Sequence, residues 1–259
     1  MKTVLITGGS SGIGYSLAEL FAKDKYEIVL VARDIKTLKK SADKLKKEYN
    51  VDVVTISKDL SLPKSAQEIY TELKRKKIEV DILINNAGFG TFGFFEKQTL
   101  SSQEKMIAVN ITSLTQLTYL FLQDMIKRKN GKIMNVASTA AFQPGPLMSV
   151  YFATKAYVLH FTEALANETK GTGISVYAFC PGPTLTNFQK RAEMRITDIE
   201  KRSSFFLSAN DAANIAYKGL DKNKTIIISG WKNKCISTVV QFLPRNFVVR
   251  VMRRYQEGK

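Results

Sequence analysis

Tyr151 and Lys155 stand four residues apart in Ser149–Lys170, a stretch whose apolar spacing predicts a helix, so both side chains fall on one face. A free phenol has a pKa of about 10, too high for easy proton exchange near neutrality, and an ammonium one turn away stabilises the phenolate and lowers that value. Such a pair can serve as general acid toward an oxygen gaining negative charge, as a carbonyl does when it accepts hydride. On its own the spacing fits any amphipathic helix. Ser138, at the end of a predicted strand, adds a hydroxyl that can hydrogen-bond the same oxygen.

A second chemical feature lies near the start. Thr7-Gly8-Gly9-Ser10-Ser11-Gly12-Ile13-Gly14 follows the first predicted strand and opens a helix. Glycines at such a junction permit a tight turn and close approach to a pyrophosphate, which the helix N-terminus holds with unpaired N–H groups. The spacing is G-x-x-x-G-x-G, not the commoner G-x-G-x-x-G. The same residues also spell G-x-S-x-G through Gly8, Ser10 and Gly12, the signature of a serine hydrolase elbow. That alternative needs a histidine base, and His160 is the only histidine. His160 sits in an amphipathic pattern with no acidic partner implied, and an elbow after the first strand is misplaced. The cofactor reading is preferred.

These residues need a scaffold, and the chain supplies a regular one. Thr3–Thr7, Glu27–Ala32, Val51–Ser57, Val80–Asn85, Gly131–Ser138, Gly173–Cys180 and Thr225–Ser229 are short apolar runs that predict strands buried on both faces. Between them Ile13–Lys23, Ile35–Tyr49, Pro63–Lys77, Ser101–Lys129, Ser149–Lys170 and Asn210–Asp221 show helical spacing. Pro63 suits a first helical turn, and Gly131 and Gly171 follow expected helix ends. This alternation predicts a Rossmann-type doubly wound α/β fold, with a parallel sheet of about seven strands and one domain spanning 1–259. Two stretches break the pattern. Residues 184–208 are polar, charged and aromatic together, and are expected to form a substrate loop. Residues 232–259 form a basic C-terminal tail.

Composition narrows the function classes. The chain has 259 residues, of which 44% are hydrophobic, which excludes a disordered or fibrous protein. Two distant cysteines, Cys180 and Cys235, and one histidine exclude a disulfide scaffold and a cysteine- or histidine-rich metal centre. No leader or membrane span is legible, so a cytoplasmic location is expected. The net charge of +16 favours anionic ligands. Its basic runs, 36–49 and 74–77, read as solvated helix faces, and with no nucleic-acid motif beside them no nucleic-acid partner is expected.

Taken together with Asn85-Asn86-Ala87-Gly88 after the fourth strand, Asn110, and the wording NVAS, SVYFATKA and CPGPTLTNF, the motifs resemble the short-chain dehydrogenase/reductase family. Within its compact single-domain branch the chain is similar to broad bacterial NADP-dependent carbonyl reductases. The resemblance implies Tyr151 as general acid in reduction and base in oxidation, with Lys155 tuning it and binding the nicotinamide ribose. It implies that Ser138 holds the substrate oxygen and Asn110 a relay water. Asn86, Ala87 and Gly88 fall at cofactor-binding positions, Asp59 and Leu60 match the pair that contacts adenine, and Pro181, Gly182 and Thr184 match the segment that closes over the nicotinamide. The position of the NAD-specific carboxylate falls on Ala32, with Arg33 next, while Asp34 is expected to cap the following helix. A cation without the carboxylate favours NADP(H). Ser11 is not the basic residue that some NADP-dependent relatives carry in the glycine loop. Lys25 stands where relatives have glycine.

The expected reaction is hydride transfer between NADP(H) and a carbonyl or secondary alcohol, with an apolar ketone as substrate. The alternative outside catalysis is an NADP-binding regulatory or assembly protein, against which the intact Ser138, Tyr151 and Lys155 set argues. Phe89, Phe92, Phe94, Phe95, Phe142, Leu147, Met148, Phe188, Phe205 and Phe206 are candidates for the pocket, or for packing of loops and subunits. Leu114, Leu117, Tyr119, Leu120 and Met125 suggest an apolar surplus that pairs helices in a homo-oligomer. In the tail, Phe247, Val248, Val251, Met252 and Tyr255 fall on one helical face, with Arg250, Arg253 and Arg254 toward the other. The apolar side is expected to dock on the body or a neighbouring subunit, with peripheral membrane contact as the alternative.

Overall fold

Seven of the strands assemble into one parallel sheet in the computed structural model, which describes residues 1–186, 188, 192, 206–222 and 224–258. They are β1 (Thr3–Thr7), β2 (Glu27–Ala32), β3 (Val53–Ser57), β4 (Ile82–Asn85), β5 (Gly131–Val136), β6 (Ile174–Cys180) and β9 (Ile226–Ile228). Their order is β3-β2-β1-β4-β5-β6-β9, with β1 pairing through Thr3↔Glu27 on one side and Val4↔Ile82 on the other. The chain thus winds outward from β1 and then returns to its opposite side. A crevice opens at that reversal, beyond the strand C-termini.

Helices cover both faces because alternate strand residues bury in opposite directions. Val4 and Ile6 pack with Leu17 and Phe21 of α1 (Gly12–Lys23), Leu38 and Leu45 of α2 (Ile35–Tyr49), and Ala212 and Ala216 of the helix Ala209–Gly219. Leu5 packs the other way, with Ile69 and Leu73 of α3 (Ser65–Arg75) and with Leu117 and Phe121 in 114–128. Asp34 caps α2 as expected, its Oδ1 accepting from Thr37 N at 2.6 Å.

Several boundaries differ from the sequence reading, each for a local reason. Helix α3 begins at Ser65, because Lys64 takes a left-handed φ of +67° and leaves Pro63 in the preceding turn. The run 101–129 is not one regular helix: α4 (Leu100–Ile107) passes through a π turn (Ala108–Ser113) into α5 (Leu114–Arg128). Lys129, at φ +54°, ends α5, and Gly131 opens β5 as expected, though that strand stops at Val136, two residues short of Ser138. Lys25 adopts the left-handed conformation (φ +62°) that glycine takes more readily, and its ammonium donates to Tyr49 O at 2.5 Å.

The apolar surplus assigned to subunit pairing is mostly consumed inside the chain. Leu114, Leu117 and Met125 are buried, Leu120 packs against the core, and Tyr119 is exposed. After α6 (Ser149–Glu168), two short strands, β7 (Thr184–Leu185) and β8 (Leu207–Ser208), pair at the ends of the expected substrate loop. Most of its interior, Phe205 included, lies outside the described residues. The helix Ala209–Gly219 is α7, and α8 (Trp231–Val239) and α9 (Arg245–Glu257) make up the tail. No helix among the described residues is long and apolar enough to cross a membrane.

Candidate active site

The glycine loop and the Asn85–Gly88 segment interlock at the crevice. Thr7 Oγ1 accepts from Asn86 N at 2.9 Å and Ala87 N at 3.0 Å, and Asn86 Nδ2 donates back to Thr7 O at 2.9 Å. A Cβ on Gly14 would lie 2.5 Å from both Asn86 Nδ2 and Gly8 O, so only glycine permits this approach. Gly8 itself has φ +65°. At the N-terminus of α1, Ser11 makes no side-chain cap bond and no acidic residue stands in the first turn. These N–H groups are thus offered to an anion, in contrast to those of α2. A Cβ on Gly88 would come 3.1 Å from Asn110 Oδ1 and 3.4 Å from Lys155 Nζ, so its absence keeps a cradle open above both. Overhead, Thr186 Cγ2 is 3.2 Å from where a Gly12 Cβ would stand. An uncapped N-terminus, an open floor and a covering segment together fit a dinucleotide.

Arg33 is exposed at the end of β2, with Ala32 beside it. Its charge reaches Asp59. Burial works to raise that carboxyl, but hydrogen bonds from Ser61 N and Oγ at 2.9 and 2.8 Å, with the charges of Arg33 and Lys105, hold it below the usual range. Asp59 therefore partly opposes the Arg33 cation. Leu60 is buried, its side chain packed with the core rather than turned to the crevice.

The proton-transfer residues converge from β5 and α6. Ser138 follows β5 in extended backbone, its Oγ accepting from Ala140 N at 3.1 Å at the start of a short 3-10 turn, Thr139–Phe142. Tyr151 keeps part of its surface open, yet burial pushes its phenol up to about 12, while a hydrogen bond with Ser138 pulls the other way. Lys155 is 5% exposed, and its Nζ donates to Val136 O at 2.8 Å and lies 5.8 Å from the Tyr151 ring centroid. Burial drives this ammonium down to about 8. The tuning read from sequence is thus only half visible. The cation is in place, but burial dominates the phenol.

Asn110 sits in the π turn, 1% exposed. Its Nδ2 donates to Phe89 O and Thr154 Oγ1, both at 3.0 Å, and its Oδ1 accepts from Phe89 N at 3.1 Å. The wide turn brings this amide under the loop after β4 and next to Lys155. Pro181 and Gly182 are tied down as well: Thr139 N donates to Pro181 O at 3.0 Å and Gly182 N to Ser229 Oγ at 2.7 Å. Thr184 Oγ1 donates to Gly182 O at 2.9 Å. Cys180, which the sequence reading left without a role, is buried near enough to feel the Ser138 backbone and the Lys155 charge, yet burial pushes its thiol up to about 12.

Only part of the aromatic set gathers beside Tyr151. Met148, with Ala140 and Phe152, forms an apolar cluster onto which Phe92, Tyr151, Phe188 and Met252 pack, and the Tyr151 and Phe188 rings are 5.2 Å apart. Leu147 precedes it with a left-handed φ of +66°, a strained conformation for a bulky side chain. Phe89 and Phe142 pack into other parts of the core, and Phe94 and Phe95 are exposed. Of the apolar side of α9 that the sequence reading expects to dock, Val248 and Met252 face the body while Phe247, Val251 and Tyr255 stay exposed, and that Met252 reaches the Tyr151 cluster was not foreseen. Val248, Met252 and Gln256, spaced i, i+4 and i+8, turn inward, and Gln256 Nε2 approaches Met148 Sδ at 3.9 Å. Arg253 leaves the arginine face and lies 4.7 Å over the Phe94 ring. His160 does have an acidic partner, contrary to the sequence reading: Glu163 lies 3.5 Å away, and the imidazole is 77% exposed on the outer side of α6.

Comparison with known proteins agrees with the fold. The chain is 36% identical over 206 residues to a very-long-chain 3-oxoacyl-CoA reductase of Rattus norvegicus, covering 77% of this chain and 64% of that protein. It thus spans just under two thirds of that relative. An NADP-dependent 3-hydroxy acid dehydrogenase of Schizosaccharomyces pombe is 32% identical over 88% of this chain and 90% of its own length. The solved structure of a short-chain dehydrogenase from Sphingobium yanoikuyae in complex with NADPH superposes with a TM-score of 0.84 at 33% identity, covering 93% of this chain and 94% of that one. The family model for short chain dehydrogenase matches residues 2–196, and with the crevice, the glycine loop and the Ser138–Tyr151–Lys155 set already in place, the chain belongs to that family.

Proposed function

We propose that this NADP(H)-dependent oxidoreductase reduces the carbonyl of an apolar ketone, or oxidises the matching secondary alcohol. The observation that carries the reading is a buried ammonium, Lys155, beside Tyr151 and Ser138 at the edge of an apolar cluster built from Met148, Phe152 and Met252. Bound NADPH supplies the hydride. Ser138 Oγ hydrogen-bonds the carbonyl oxygen, and Tyr151 delivers the proton as that oxygen gains charge. Lys155 holds a cation against the phenol ring and favours its ionised form once the proton has left. Asn110 braces the loop that floors the site and serves the relay that reprotonates Tyr151. Ser10, Ser11, Ile13 and their glycines bind the pyrophosphate, and Arg33 receives the 2′-phosphate. The names of the rat and yeast relatives, which speak of 3-oxoacyl and 3-hydroxy acid groups, support carbonyl chemistry on an aliphatic chain. Tyr119, Ile107 and Ile126, exposed along 100–128, support a homo-oligomer.

The test is NADPH consumption by the full chain over a panel of ketones and 3-oxoacyl thioesters, with small polar aldehydes as contrast. Turnover that rises with apolar size supports the reading, and turnover confined to small polar carbonyls overturns it.

A further inference from the structure

The tail carries an outer face that its docking leaves open. In α9 the residues one side of the inward row are Phe247 and Val251, exposed at 47% and 46%, with Arg250 and Arg254 alongside. In α8 and the 3-10 turn after it, Trp231, Val239 and Phe242 recur at helical spacing and are exposed at 72%, 55% and 84%. Large apolar groups so exposed, spaced along one face of each helix, are what a contact surface requires. What they contact is indicated by charge. Between Asp221 and Glu257 the chain holds eight lysines and arginines and no acidic residue. A second copy meeting this face about a two-fold axis would set cations against cations. Aliphatic side chains such as Val239 and Val251 offer nothing to a nucleic-acid base or phosphate. An anionic lipid surface satisfies both halves of the pattern, with headgroups for the cations and acyl chains for the apolar tips.

We propose that the outer faces of α8 and α9 dock this protein peripherally on an anionic bilayer. The buried row of α9 then stays on the body, where Met252 borders the Tyr151 cluster. The inference stands on the exposed face and does not depend on the substrate.

Trp231 is the only tryptophan, so the surface contains its own probe. The full chain is mixed with phosphatidylcholine vesicles, with or without phosphatidylglycerol, at low and high salt. Cosedimentation with the anionic vesicles, a blue shift of Trp231 emission, and quenching by brominated acyl chains are expected, with the binding weakened by salt. Phe242→Asp should lower vesicle affinity about tenfold or more, and Arg250→Glu with Arg254→Glu should do likewise, with Tm and NADPH affinity unchanged. Protein that stays in the supernatant overturns the proposal, as does adsorption without a blue shift. So does a dimer in solution that Phe242→Asp converts to monomer, since a second copy then covers the face. If a variant fails to fold, the blue shift and quenching of the intact chain still decide.

Discussion

Helices α6 and α9 place charge and hydrocarbon in opposite senses. In α6 the cation faces inward: Lys155 is 5% exposed, donates to Val136 O, and its pKa is driven down by burial. In α9 the cations Arg250 and Arg254 face outward, and hydrocarbon is exposed beside them at Phe247 and Val251. Both arrangements cost stability in water. A buried ammonium has lost hydration, and an exposed phenyl ring has kept it. On the function and the docking proposed above, the difference separates a residue that serves chemistry from a surface that serves contact.

The inward side should break hardest. Tyr151→Phe removes the proton donor and is expected to lower kcat/KM for ketone reduction by about 10³-fold or more, with NADPH affinity within about twofold. Substantial turnover by this variant would mean that another group supplies the proton. Lys155→Met should abolish reduction and weaken NADPH. It should also raise the Tm of the cofactor-free protein, since a lysine lowered from 10.5 to about 8 makes the folded state carry a strained charge at neutral pH. That strain is on the order of 3 kcal/mol. A Tm that falls would show that Lys155 is paid for by contacts the burial argument leaves out.

The same shift sets a pH window. The Lys155 cation is present below about 8 and is lost as pH rises through that value, whereas Tyr151, pushed up to about 12, stays protonated throughout. Reduction, followed as kcat/KM, should therefore be flat toward neutrality and decline above pH 8. A profile that declines toward acid instead would reverse the assignment. At the cofactor's other end, Arg33→Ala should weaken NADPH about tenfold more than NADH. Equal losses would remove Arg33 from the 2′-phosphate.

The smallest effects sharpen the contrast within α9. Val248→Ala empties a buried site and should cost on the order of 2 kcal/mol of stability, whereas Val251→Ala, one turn away on the open face, should stay within about 0.5 kcal/mol. Equal losses in chemical denaturation would mean that the outer face is packed after all.

Much of the site is legible in the sequence because short-range chemistry specifies it. Tyr151 and Lys155 lie one turn apart on any helix, and Asp34 caps because its carboxylate reaches Thr37 N. Other features have no local signature. The π turn at Asn110 occurs in a run with ordinary helical spacing, and it is the bonds to Phe89 and Thr154 that use the widened turn. Phe89 and Phe142 look like pocket residues by type, but the core takes them.

The sequence by itself determined the alternation of strands and helices, the glycine loop and the order of Ser138, Tyr151 and Lys155, since each depends on residues a few positions apart. Tertiary structure alone decided which arc of α9 is buried, that Arg253 leaves its neighbours for the Phe94 ring, and that Lys155 sits where burial lowers its charge. Those outcomes depend on neighbours brought from Val136 and Met148, far along the chain. Helical periodicity states what lies on one face; only packing states which part of that face meets protein and which meets solvent.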